Sequence, residues 1–214
     1  KSRRIWGLRF LMKIIMLAAC AAMLYGTATF GVADAQAANA RVEAKRGVNA
    51  AVLRHIASAT EMDPRNAALA YQHGTMLVDS VRQDMKKEDY LRTVDAAVTE
   101  LTRAATLNPQ NFRFHLALAE ALDAAKKPDD ALKAIQQALK LAPLYEEPRL
   151  ALGMHYHRLQ QFEKAESAYL WAGQAKAMIP EGSPNWLETY RQLLSDTAAL
   201  AERERISRNA QQNR

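Results

Sequence analysis

At 214 residues the chain is long enough for one domain of ordinary size plus an appendage. Alanine, leucine and charged residues dominate, with only 8 Gly and 7 Pro, and no alternating apolar stretch reads as a strand, so the composition favours an all-helical protein. Of the net charge of +6, Lys1, Arg3, Arg4, Arg9 and Lys13 supply five positive charges, leaving a nearly neutral remainder. A nucleic-acid binder should carry a basic face on its folded domain, so this distribution argues against that class. The single cysteine, Cys20, excludes an intrachain disulfide and a cysteine-based metal site.

Residues 14–33 read IIMLAACAAMLYGTATFGVA, without a charge. As a helix of about 1.5 Å per residue, such a run spans roughly 30 Å, the thickness of a bilayer's hydrocarbon core. Basic residues before it and Asp34 after it predict a single-pass anchor with its N-terminus in the cytoplasm. A cleaved signal peptide is the alternative, because Ala33-Asp34-Ala35, Ala35-Gln36-Ala37 and Ala38-Asn39-Ala40 fit the small-x-small rule. Leu17-Ala18-Ala19-Cys20 resembles a lipobox, but the chain stays apolar after Cys20, where a mature lipoprotein turns polar.

Beyond the anchor, the chain repeats at a spacing of 34 residues. Ala97, Ala131 and Ala165 align, as do Ala104, Ala138 and Ala172, with the bulky Leu101, Ile135 and Tyr169 between them. Pro109 aligns with Pro143, Leu118 with Leu152, Ala119 with Gly153, and Leu122 with Tyr156. Small side chains let two helices approach while bulky ones fill the space beside them, and proline ends the second helix of each pair. In the first unit Pro64 precedes Pro109 by 45 residues, so an insertion of about eleven residues near Ser80 to Tyr90 is expected to lengthen both helices.

These residues resemble the tetratricopeptide repeat (TPR), in Leu152-Gly153-x2-Tyr156 followed by Ala165-x3-Tyr169-x2-Ala172. The resemblance is strongest over 112–178, and the family's tryptophan position holds His115 and Arg149 instead. It implies an all-α solenoid of about three hairpins with a C-terminal capping helix, and the uncharged run 14–33 places a transmembrane helix before it. Helices are expected at 5–33, 40–61, 65–86, 89–107, 111–126, 129–141, 146–160, 162–177 and 184–208. The corresponding regions are 1–37 for the basic flank and anchor, 38–63 for a helical neck, 64–180 for the repeats and 181–214 for the cap and polar tail. The cap should start at Ser183-Pro184 and cover the open end of the stack with Trp186, Leu187, Tyr190, Leu193 and Leu194. From Glu202 the tail is polar all round and should project away, with a frayed end at 209–214.

No catalytic constellation is recognisable, so neither an enzyme activity nor a cofactor, metal or small-molecule substrate is expected. His155 and His157 point to different helix faces and read as surface or groove residues. Asp129-Asp130 and Glu146-Glu147 read as helix-start charges. In the family the first helix of each hairpin lines a concave groove that binds a peptide. At the matching positions this implies Arg113, Leu116, Glu120 and Asp123, then Glu147, Leu150, Met154, His157 and Arg158. Where some members clamp a carboxylate with Lys and Asn, this chain holds Leu116, Glu120, Leu150 and Met154, so an apolar or basic ligand segment is expected. The function implied is a protein-interaction module of the bacterial inner membrane, its repeats in the periplasm, docking onto or helping to assemble a membrane complex. The alternatives are a soluble periplasmic adaptor or assembly chaperone, and a permanent structural subunit.

Overall fold

A computed structural model describes residues 2–45, 47–82, 84–176 and 184–212. Among the helical side chains, those of 2–14, 22, 24–28, 30, 173–176, 184–194, 210 and 212 fall outside the description. The described residues form nine helices and no strand: α1 (Ser2–Ala44), α2 (Ala50–Met62), α3 (Ala67–Asp79), α4 (Lys87–Leu107), α5 (Phe112–Ala124), α6 (Pro128–Leu141), α7 (Glu146–Arg158), α8 (Phe162–Lys176) and α9 (Pro184–Gln212). Each helix packs chiefly on its neighbours in sequence, and α5 also touches α3 and α7. The outcome is an open stack of helical hairpins.

Local sequence sets the breaks. Asn49, Asn66 and Asn111 cap α2, α3 and α5 by accepting backbone N–H bonds of the first turn. Pro128 sits in the first turn of α6, followed by Asp129 and Asp130, as the helix dipole favours. The turns inside the last two repeat hairpins are alike. Lys126 and Gln160 adopt positive φ of 57° and 58°, and Lys127 N–H and Gln161 N–H donate to the carbonyls of Leu122 and Tyr156, each at 2.9 Å.

The repeat core follows the 34-residue pattern. Ala97, Leu101, Ala104, Ala131, Ile135, Ala138, Ala165, Tyr169 and Ala172 are all buried. Each bulky residue faces a small one on the first helix of its own hairpin. A Cβ on Gly74 would lie 2.5 Å from Leu101 Cγ, and one on Gly153 only 2.2 Å from the Tyr169 ring. Ala119 and Ile135 share a core cluster. Burial holds the Tyr169 hydroxyl up at a pKa of about 12, against a smaller opposing pull from Arg158.

Several expectations change. The insertion does not lengthen both first-unit helices: α3 has 13 residues, like α5 and α7, so the expected helix 65–86 ends at Asp79. The extra residues lie in the loop 80–86 and in α4, which has 21 residues against 14 in α6. They have a packing role, since the Tyr90 hydroxyl donates to the Ala124 carbonyl at the end of α5, at 2.9 Å. The region expected as one neck helix, 40–61, is broken at 45–49, with Gly47 at a φ of 113°. Its first part belongs to α1, which pairs with α2 as a further hairpin, burying Ala33, Ala37 and Ala40 with Val52, Ile56 and Ala59. The polar tail packs on α8, next to buried Ala201, through the pairs Arg205–Glu166 and Arg208–Glu163, at 2.5 and 2.9 Å. The helix also continues to Gln212. Ser183 lies outside the described residues, as do the side chains of Trp186, Leu187, Tyr190, Leu193 and Leu194. Among the described residues no helix is long and apolar enough to cross a membrane; several side chains of the uncharged run 14–33 fall outside the description.

Candidate functional site

The first helices α3, α5 and α7 line up along one face of the stack, and their exposed sides enclose an open hollow of about 310 Å³. Tyr71 and Thr75 come from α3, Arg113, Leu116, Ala117, Glu120 and Asp123 from α5, and Glu147, Ala151, Met154 and Arg158 from α7. A second hollow of about 230 Å³ shares Glu120, Asp123 and Arg158 and adds Val78, Val81 and Val94. The two form one groove with an apolar floor and charged walls.

The charges are mostly paired. Arg113 Nη2 donates to Glu147 Oε1 at 3.0 Å, joining the same repeat position of adjacent units. The hydrogen bond and charge of Glu147 push the guanidinium further above its usual range. Asp123, its side chain 6% exposed, accepts from His155 Nδ1 at 2.8 Å and from Arg158 Nη1 at 3.0 Å. One buried carboxylate thus ties α5 to α7 at two points. Glu120 makes no ion pair among the described residues, and Glu147 Oε2 is buried without a hydrogen-bond partner. Three acids against two arginines, both engaged, leave the groove with an excess of negative charge.

Of the sequence-expected residues, Arg113, Leu116, Glu120, Asp123, Glu147, Met154 and Arg158 line the hollow. Leu150 and His157 do not. Leu150 is half-buried elsewhere on α7, and His157 Nδ1 lies 3.1 Å from Thr197 Oγ1 on α9. His155, expected at the surface or in the groove, is 1% exposed and serves as the buried partner of Asp123. The contribution of α3 was missed, although the Pro64–Pro109 offset contains it. Shifting by 45 places Tyr71 on Leu116, Thr75 on Glu120, Val78 on Asp123 and Gly74 on Ala119. At the family's tryptophan position His115 Nε2 donates to the Pro109 carbonyl at 2.9 Å and Arg149 Nη2 to the Pro143 carbonyl at 2.5 Å. Arg149 also stacks 4.1 Å over the Trp171 ring. Polar donors there anchor the preceding proline loop. No group of His, Cys, Asp and Glu among the described residues could hold a metal ion.

Residues 92–143 match the family model of the tetratricopeptide repeat. No curated protein sequence matches the chain. Among solved structures, a thermophilic TPR protein of Thermus thermophilus is 21% identical with a TM-score of 0.63, over 79% of this chain and 81% of that one. MamA residues 41 to the end from Desulfovibrio magneticus give 20% identity and a TM-score of 0.56 over 85% and 96%. PilF of Pseudomonas aeruginosa gives 19% identity and 0.55 over 80% and 75%. Residues 92–143 thus match a tetratricopeptide repeat, and the likeness to the solved structures shows an all-helical solenoid fold.

Proposed function

We propose that the chain is a membrane-anchored interaction module whose groove holds a segment of another protein and so docks onto or helps to assemble a membrane complex. The carrying observation is the groove itself, open along α3, α5 and α7, with Leu116, Ala117, Ala151 and Met154 on its floor and Glu120, without an ion pair among the described residues, at its wall. That chemistry fits an apolar segment bearing a lysine or arginine. No catalytic step and no cofactor belongs to this reading.

Two features support the anchor. The uncharged run 14–33 has the length of a bilayer core, and Ile15, Met16, Leu17 and Met23 on it are each more than half exposed. The same helix then enters the stack. Cleavage after Ala35, Ala37 or Ala40 would strip Ala33, and at the later sites more, from the seam with Val52 and Ile56, which favours retention over the released adaptor.

The test uses the full chain in lipid vesicles. A labelled peptide with one lysine between leucines should bind, and Glu120→Lys should weaken it about tenfold, the size of one charge-assisted contact. Equal binding by the variant, or preference for a glutamate-bearing peptide, would remove this assignment. Full-length chain released by a carbonate wash would remove the anchor.

A further inference from the structure

The stack has two ends of unlike chemistry. One end carries the loops that join successive hairpins, 63–66, 108–111 and 142–145. The other carries the turns inside the hairpins, at 45–49, 80–86, 125–127 and 159–161. The turn end is charged, with Arg82, Asp84, Lys86, Lys126 and Lys127, and the exposed aliphatic side chains in or beside its turns are Val42, Leu91 and Leu159. The joining end carries loop charges only in its first loop, at Asp63 and Arg65. Its last two loops hold no charged residue, and exposed apolar groups gather there: Leu144 at 70%, Tyr145 at 50%, Leu107 at 40% and Met62 at 39%.

The path of α1 decides what this end faces. α1 and α2 run antiparallel across the short turn 45–49, and His55 Nδ1 lies 2.6 Å from Gln36 Oε1. That register brings Ala33 opposite residues 58–59, close to the C-terminal end of α2 at Met62, which is the joining end. Residues before about 29 therefore run past this end, by about 40 Å at about 1.5 Å per residue. The uncharged run also stops at Ala33, and Asp34 is the first charge after it. No spacer separates the apolar run from the stack, and α1 is one continuous helix across the junction.

We propose that the joining end of the solenoid rests on the bilayer surface, with Leu144 and Tyr145 at the headgroup level and the groove held at a fixed height above it. This rests on the anchor reading given above. An aromatic ring with a polar tip beside an exposed aliphatic suits that layer, where apolar body and hydroxyl each find their medium. A rigid helix without a linker fixes which end meets the membrane.

The experiment places the full chain, with Cys20→Ser, in vesicles of equal parts phosphatidylcholine and phosphatidylglycerol. A single environment-sensitive probe is attached at Leu144→Cys or, at the opposite end, at Lys127→Cys. Blue-shifted emission at position 144 that brominated lipid quenches, with no quenching at 127, is the expected result. Quenching at neither position, in vesicles that keep the chain through a carbonate wash, overturns the orientation while leaving the anchor intact. A blue shift at 144 that lipid does not quench means contact with protein, such as a second copy, and also overturns it. Loss of the chain in the wash removes the anchor and this inference with it.

Discussion

Gly153 shows what the repeat demands of a single position. Its missing Cβ makes room for the Tyr169 ring, as Gly74 makes room for Leu101, while the middle unit pairs Ala119 with the slimmer Ile135. Alanine for glycine inside a helix gains about 1 kcal/mol from propensity, but forcing a methyl into this contact costs about 1–3 kcal/mol. Gly153→Ala should therefore lower stability in a urea titration. Added to Tyr169→Ile, which copies the middle unit, it should cost little or nothing. Equal cost in both backgrounds would show that the ring is not the obstacle. His73 occupies the position held by Leu118 and Leu152 in later units, with Thr60, Glu61, Glu100 and Arg103 around it. Burial lowers its pKa below the ordinary 6.5, with Glu100 pulling the other way. The unfolded chain then binds a proton that the folded one refuses. This contribution is complete above about pH 6.5 and is lost as pH falls below that value through the lower folded-state pKa. His73→Leu should reduce the stability lost between neutral and mildly acid pH, read as the difference between the two urea midpoints; an unchanged difference would count against it.

Helices and their faces were largely legible because small and bulky residues recur at fixed spacing. Ala97, Ala131, Ala165 and their partners are buried where the pattern put them. The misreadings have physical reasons. Helix propensity cannot tell a longer helix from a longer loop, so the first-unit insertion was divided wrongly between α3 and α4. A seam of alanines, Ala33, Ala37 and Ala40, is too small to stand out from a signal sequence, and so the hairpin of α1 with α2 was hidden. The last helix misled because charge was read as solvation. Arg205 and Arg208 face Glu163 and Glu166 on α8, and Thr197 and Ala201 are buried between the helices. Ala201→Asp should undock this helix. Hydrogen exchange in 195–208 should then accelerate while α3 to α6 stay protected; unchanged protection in 195–208 would mean that the helix is held elsewhere.

At the scale of the molecule, an open stack leaves a face that the described residues do not fill. Seven of the nine residues expected in a groove line the hollow, because equivalent positions on α5 and α7 follow from the repeat. Leu150 and His157 escaped because the stack ends after α7 and α8, where α9 takes the place of a next unit beside His157. The position of α3 required the 45-residue offset, which places Tyr71 and Thr75 in the wall. The account predicts one occupant of this face, a polypeptide with an apolar stretch and a basic side chain near Glu120. The direct measurement is photocrosslinking of the full-length chain in native membranes, with the reactive group at Met154 in the groove or at Gln136, exposed on α6. The account predicts an adduct with another polypeptide from position 154 that Glu120→Lys abolishes, and none from 136. No adduct at 154, or the same adducts from both positions, would contradict it.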